Sequence, residues 1–213
     1  DVSFFDDSGT AKFFWDASAE SLGIGTSSPT STLTVEQAQN TTTGGTFSDP
    51  HIALTASTTT NNTGFTGISY ASSSADNYGW TAGALRDGTS GGATDFIFVN
   101  HQNSATGSEA MRIDSSGNVG IGCTPSPWFG SKALEFGFYG SISADSVGSK
   151  FGTNIAQNAY ASSEGAEPSP WKYITSSTNA RPSLYQQYDG GHYFSTAATG
   201  TAGTAISWSE SMR

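Results

Sequence analysis

The chain has 213 residues, rich in Ser (34), Thr (27) and Gly (26), with a formal net charge of −10 from 18 acidic and 8 basic side chains. The basic residues are few and unclustered, so there is no electrostatic footprint for a phosphate backbone; nucleic acid is excluded as an expected partner and anionic membranes are disfavoured. No apolar run approaches the roughly 18 residues that a spanning helix needs, so no membrane insertion is expected, and the single cysteine, Cys123, has no partner for a disulfide within the chain.

The predicted elements are nearly all strands, short and rich in β-branched and aromatic residues. In chain order they are STLTV (31–35), HIALTAS (51–57), TGFTGISYAS (63–72), TDFIFVN (94–100), MRID (111–114), NVGIG (118–122), KALEFGFYG (132–140), WKYIT (171–175), SLYQQY (183–188), HYFSTA (192–197) and AISW (205–208). Turn chemistry separates them at Asp87-Gly88, Gly91-Gly92, Asp114 to Gly117 and Asp189 to Gly191. The segment nearest to a helical pattern is IAQNAYA (155–161), and its periodicity is weak.

Ile, Leu, Val and Phe together number only 34, which is a poor core for this length. The 13 Phe, 8 Tyr and 5 Trp nevertheless argue against disorder. Ordering a residue costs roughly 1–2 kcal/mol, and burying a large apolar side chain returns about 1.5–3. A core shared between identical chains is therefore expected, because burial then counts at the subunit interface as well.

Self-similarity organises the chain. LGIGTSSP (22–29) recurs as VGIGCTPSP (119–127), with Gly23 matching Gly120; SEAMR (108–112) recurs as SESMR (209–213), and FIFVN upstream of the first has a looser counterpart in HYFST. The array divides into an N-terminal β segment with a first G-I-G linker (1–35), a variable β module (36–108), a second linker (109–136), a second variable module (137–208) and the start of a further linker (209–213). The two modules share length more than sequence, as if one scaffold position held different insertions. The chain starts at Asp1 and stops where the first copy continues, so a longer native polypeptide is expected.

Residues 4–35 and the stretch SEAMRIDSSGNVGIGCTPSP (108–127) resemble the linker repeats of tailed-bacteriophage tail fibre and tail spike proteins, and most of 154–213 is similar to a module that often precedes such a linker. The resemblance implies an all-β, elongated homotrimer of stacked small β-modules joined by intertwined linkers. It implies a virion location after assembly in the host cytoplasm, with other tail proteins and a host-surface glycan or protein as partners. In that family a self-cleaving C-terminal chaperone often follows. In such a fibre Leu22, Gly23, Ile24 and Gly25, and Ile113, Val119, Gly120, Ile121 and Gly122, are the expected linker and trimer-packing positions. The glycines would permit close approach or left-handed turns while their apolar neighbours enter a shared core, and Asp114 to Asn118 would turn between Ile113 and Val119.

The expected role is a structural fibre segment that contributes to host attachment; the alternatives are a glycan depolymerase, a purely structural or capsid-attached fibre, and a bacterial trimeric adhesin. Candidate receptor or glycan contacts are Tyr78, Trp80 and Arg86 in the first module and Trp171, Tyr173, Tyr188 and His192 in the second, because aromatic faces beside polar turns suit sugar rings. For any one of these rings, filling the thin core of a small β-module is the commoner use. No catalytic residue, cofactor or metal is expected: His51, His101 and His192 lack metal-ligand spacing. The carboxylates Asp76, Asp87, Asp95, Glu164 and Glu167 are not paired by any motif, as glycoside hydrolysis requires. Cys123 replaces Thr26 of the first copy, which favours a structural role.

Overall fold

A computed structural model describes residues 1–38, 50–75, 77–88, 93–137, 139–145, 152–162 and 171–212, with only the backbone at Asp145 and Tyr188. The described residues contain strands and no helix. The chain divides into two compact units, Asp1–Thr55 and Ala56–Arg213. Asp76, Glu164, Glu167 and the Gly91-Gly92 turn lie outside the described residues.

The first unit holds β1 (Val2–Phe5), β2 (Ala11–Asp16), β3 (Ser21–Ile24) and β4 (Leu33–Val35) in one sheet in that order. The β1–β2 and β2–β3 pairs are antiparallel and β3–β4 is parallel. Asp6 closes the first turn by accepting the Ser8 and Thr10 amides, and Asp16 closes the second by accepting those of Ser18 and Ala19. These are the local side-chain to backbone bonds that make Asp a turn residue.

The second unit is built on one sheet of eleven strands. They are β5 (Phe65–Ala71), β6 (Gly79–Arg86), β7 (Thr94–Asn100), β8 (Ser108–Ile113), β9 (Val119–Ile121), β10 (Ser131–Phe136), β11 (Gly140–Asp145) and β12 (Gly152–Gln157), then β15 (Ser183–Tyr188), β16 (Gly191–Thr196) and β17 (Ser209–Met212). The intervening β13 (Tyr160–Ala161) and β14 (Trp171–Lys172) form a two-stranded pair of their own. Sequential strands neighbour one another in the sheet, all antiparallel except β9–β10.

The segment nearest to a helix in sequence is extended. Residues 155–157 complete β12, whose burial alternates strictly, with Asn154 and Ala156 buried and Ile155 exposed. HIALTAS forms no strand, and of WKYIT only Trp171 and Lys172 do; AISW contributes a single bridge, Ala205 to Lys172.

The two faces of the large sheet differ in kind. Over its second half one face is covered by the chain's own loops, where Trp128, Tyr160, Tyr173, Ala180 and Ile206 are buried. The sheet residues beneath them are small or polar: Ser131, Ala133, Glu135, Ser141, Ser143, Asn154, Ala156 and Leu184. The other face has no cover from the described residues of this unit, and it carries the large apolar side chains.

Candidate functional site

Because strand side chains alternate between faces, register fixes which residues form a row. On the uncovered face the cross-strand partners run Phe96, Ile113, Val119, Leu134, Ile142, Ile155, Tyr185, Phe194 and Met212, each opposite the next. At ~4.8 Å per strand this apolar row extends about 38 Å across the sheet, and over β7 to β10 a second row, Phe98, Met111, Ile121 and Phe136, runs beside it. Its members stay open to solvent: Ile142 is 41% and Ile155 50% exposed, while Ser143 and Asn154 on the other face are 3% and 2% exposed. Exposed large apolar groups over buried polar ones invert the usual order, and a contiguous patch of this kind marks an interaction surface.

The first unit repeats the pattern on a smaller scale. Val2, Trp15, Leu22 and Leu33 form one row, and Phe4, Phe13, Ile24 and Val35 form a second on the same face. Val2, Phe4, Trp15 and Leu33 are exposed.

The repeat seen in sequence is a repeat of backbone. Leu22, Gly23 and Ile24 pair antiparallel with β2 and parallel with β4; Val119, Gly120 and Ile121 pair antiparallel with β8 and parallel with β10. Gly25 donates to Lys12 O at 2.9 Å, and Gly122 donates to Ala110 O at 2.8 Å. After each G-I-G strand the chain folds back over the sheet. The carbonyl of Thr26 then occupies the place a Cβ on Gly23 would take, and the carbonyl of Cys123 does the same at Gly120. This close approach is made by the chain's own loop. Gly25 and Gly122 instead supply the left-handed turn, at φ 79° and 68°. Leu22, Ile24, Val119 and Ile121, together with Ile113, face the uncovered side.

Four acidic side chains lock the second linker. Asp114 accepts the Ser116 and Asn118 amides and makes the turn between Ile113 and Val119. Asp95, only 2% exposed, meets Arg112 at 2.5 Å and accepts the Ser115 amide at 2.9 Å. Glu109 holds the same guanidinium through two bonds, and these with Asp95 raise the Arg112 pKa above its ordinary value. Glu135 takes both the amide and the hydroxyl of Ser126 and so ties down the proline-containing exit. Cys123 is half-buried, and desolvation first, then the Glu135 charge, pushes its thiol pKa up, which opposes thiolate chemistry.

The aromatic candidates separate by environment. Tyr78 and Trp80 both line an open cavity of about 760 Å³ in the first module. Arg86 sits elsewhere, donating from Nε to Asn61 Oδ1 at 2.8 Å beside a second cavity of about 480 Å³. Trp171 and Tyr173 are packing residues: Trp171 makes edge contacts with Trp128 and Trp208, and buried Tyr173 donates its hydroxyl to Ala198 O. His192 is exposed, stacks on Tyr185 at 5.9 Å and shares a hydrogen bond between its Nδ1 and that residue's hydroxyl at 2.6 Å. Tyr188 pairs with Gly152 and Gly191 through its backbone, and its side chain lies outside the described residues. The structure thus brings Tyr78 and Trp80 to one cavity and Trp171 and Tyr173 to one packed cluster, and leaves Arg86 and His192 apart. Among the described residues no cluster of three metal-ligating side chains occurs.

Sequence reading missed most of the apolar row, including Phe96, Leu134, Ile142, Ile155, Phe194 and Met212. The available signal was the recurrence of one large apolar residue at the centre of strands otherwise made of Ser, Thr, Asn and Gln. No protein-family model matches this chain, and no curated protein matches it significantly.

Proposed function

We propose that this chain is a segment of a tailed-bacteriophage tail fibre or spike: an elongated homotrimeric stem of small β-modules joined by G-I-G linkers, carried on the virion and contributing to host-surface attachment. The exposed apolar row carries this reading. In the second module it is one residue wide, flanked on the same face by Thr153, Gln187 and His192 on one side and Gln157, Ser183 and Thr196 on the other. Two sheets packed face to face bury whole faces and call for several apolar rows. A stripe with polar flanks suits a line of contact, as when three copies of one sheet surround an axis along the stripe and like residues meet at each level. Each large side chain so covered returns about 1.5–3 kcal/mol, which supplies the burial that one chain lacks.

In this reading the role is mechanical and adhesive and uses no cofactor. The partners are two further copies of the chain, other tail proteins, and a host-surface glycan or protein held by weak sites presented three at a time. Gold-labelled antibodies raised against the purified chain test it on virions examined by electron microscopy. Gold along the tail fibres supports the reading; virions left bare while the same antibodies label other structures would overturn it.

A further inference from the structure

The strands β5 to β8 and the set β12, β15, β16 and β17 are two copies of one four-stranded device. Each pairs its last two strands through a bulge at the same place, Phe98/Val99 in the first and Phe194/Ser195 in the second, opposite the SEAM and SESM strands. Register then equates Val99 with Ser195, Thr81 with Leu184 and Ser69 with Ala156. His101, next after Asn100, corresponds to Ala197, next after Thr196.

In the second copy the covered face at these positions is filled by the chain itself. The Tyr173 ring is buried in a cluster with Ala156, Leu184 and Ile206, with Ala197 packed alongside. Tyr173 donates from its amide to Thr204 O and from its hydroxyl to Ala198 O, at 3.2 and 2.9 Å. In the first copy the equivalent place is the cavity of about 760 Å³, lined by Ser69, Thr81, Val99, His101, Phe65 and Tyr78. Connection length explains the difference. Residues 72–78 join β5 to β6 where 158–182 join β12 to β15, and 101–107 join β7 to β8 where 197–208 join β16 to β17.

We propose that this cavity is a binding site for an aromatic side chain of tyrosine type presented by another protein, the external counterpart of Tyr173. Two polar side chains in the cavity, His101 and Thr81, already satisfy each other. The Ser104 carbonyl at 2.8 Å can only accept, so His101 Nδ1 carries the proton. In the neutral ring Nε2 then accepts the Thr81 hydroxyl at 3.0 Å. The remaining lining sets Phe65, Leu85, Ile97 and Val99 beside a few hydroxyls such as those of Ser69 and Tyr78, which suits a flat ring with one polar atom. A saccharide, whose many hydroxyls each need a partner, is served less well. Ser69, Thr81 and Val99 in the lining lie on the face opposite the apolar row, because they alternate with Ile68, Ala82 and Phe98, while Tyr70 and Trp80, which also line the cavity, alternate to the row's side.

The test is titration of the full chain with N-acetyl-tyrosinamide, followed by NMR at the Tyr78 and His101 side chains. Saturable shifts with a dissociation constant on the order of a millimolar are expected. Val99→Trp fills the slot and should abolish binding. Tyr78→Ala, a change at an exposed wall that leaves the sheet intact, should weaken binding roughly threefold or more. Three results would overturn the proposal: no saturation on the order of ten millimolar, equal binding of N-acetyl-leucinamide, or displacement of the tyrosinamide by methyl galactoside.

Discussion

Gly120 and Cys123 are in contact through backbone alone: the Cys123 carbonyl oxygen fills the space where a side chain on residue 120 would begin. The same relationship links Gly23 to Thr26 in the first linker. Gly120→Ala forces this backbone apart and should cost about 3 kcal/mol, as overpacking against an unyielding neighbour does. Gly122→Ala meets open space and pays only for its left-handed backbone, about 1–2 kcal/mol. Chemical denaturation of the two variants gives the order; a milder effect at Gly120 than at Gly122 contradicts this account of the G-I-G motif.

Arg112→Met leaves Asp95 as a buried charge answered, among the described residues, by the Ser115 amide alone. Loss of one partner of such a pair typically costs about 3–5 kcal/mol. Asp95→Asn added to Arg112→Met removes the stranded charge and keeps an acceptor for Ser115, so the double variant should recover part of the loss. Urea unfolding of the single and double variants measures the difference.

Acid should loosen the first unit through its turns. Asp6 is held well below the usual carboxylate range, first by the Ser8 hydroxyl, then by the Thr10 amide and by Lys12. The Asp16 pKa is lowered in the same direction, first by the Ser18 hydroxyl and then by the Ala19 amide. A depressed folded pKa gives stabilisation that is complete above the unfolded value of about 3.9 and is lost as pH falls below it towards the folded value. Amide protection at Thr10 and Ala19, corrected for intrinsic exchange, should hold from neutrality to about pH 5 and decline below about pH 4. With Asp6→Asn and Asp16→Asn, that acid step should disappear.

The all-β character and the linker repeat were legible because they are written locally. Asp114 to Asn118 announce a turn, and SLYQQY covers β15 from end to end. β6, β11, β12 and β17 were not legible as strands, being GWTAGALR, GSISAD, GTNIAQ and SESM. In β11 and β12 the covered face holds Ser141, Ser143, Asn154 and Ala156 beneath the chain's own loops, so the amphipathic signal is weak and its sense is inverted. Ile155 reads as core and stands uncovered, whereas Asn154 reads as surface and is buried. The glycan-contact pattern failed at Trp171 and Tyr173 for a related reason: where the aliphatic supply is thin, aromatic rings become the packing material beneath loops.

Sedimentation equilibrium of the purified chain, at concentrations diluted to the micromolar range, tests the central claim most directly. The account predicts a mass three times the 22.0 kDa of one chain, persisting on dilution and lost in an Ile155→Asp variant that places a charge in the apolar row. A folded monomer of unaltered chain mass would contradict it.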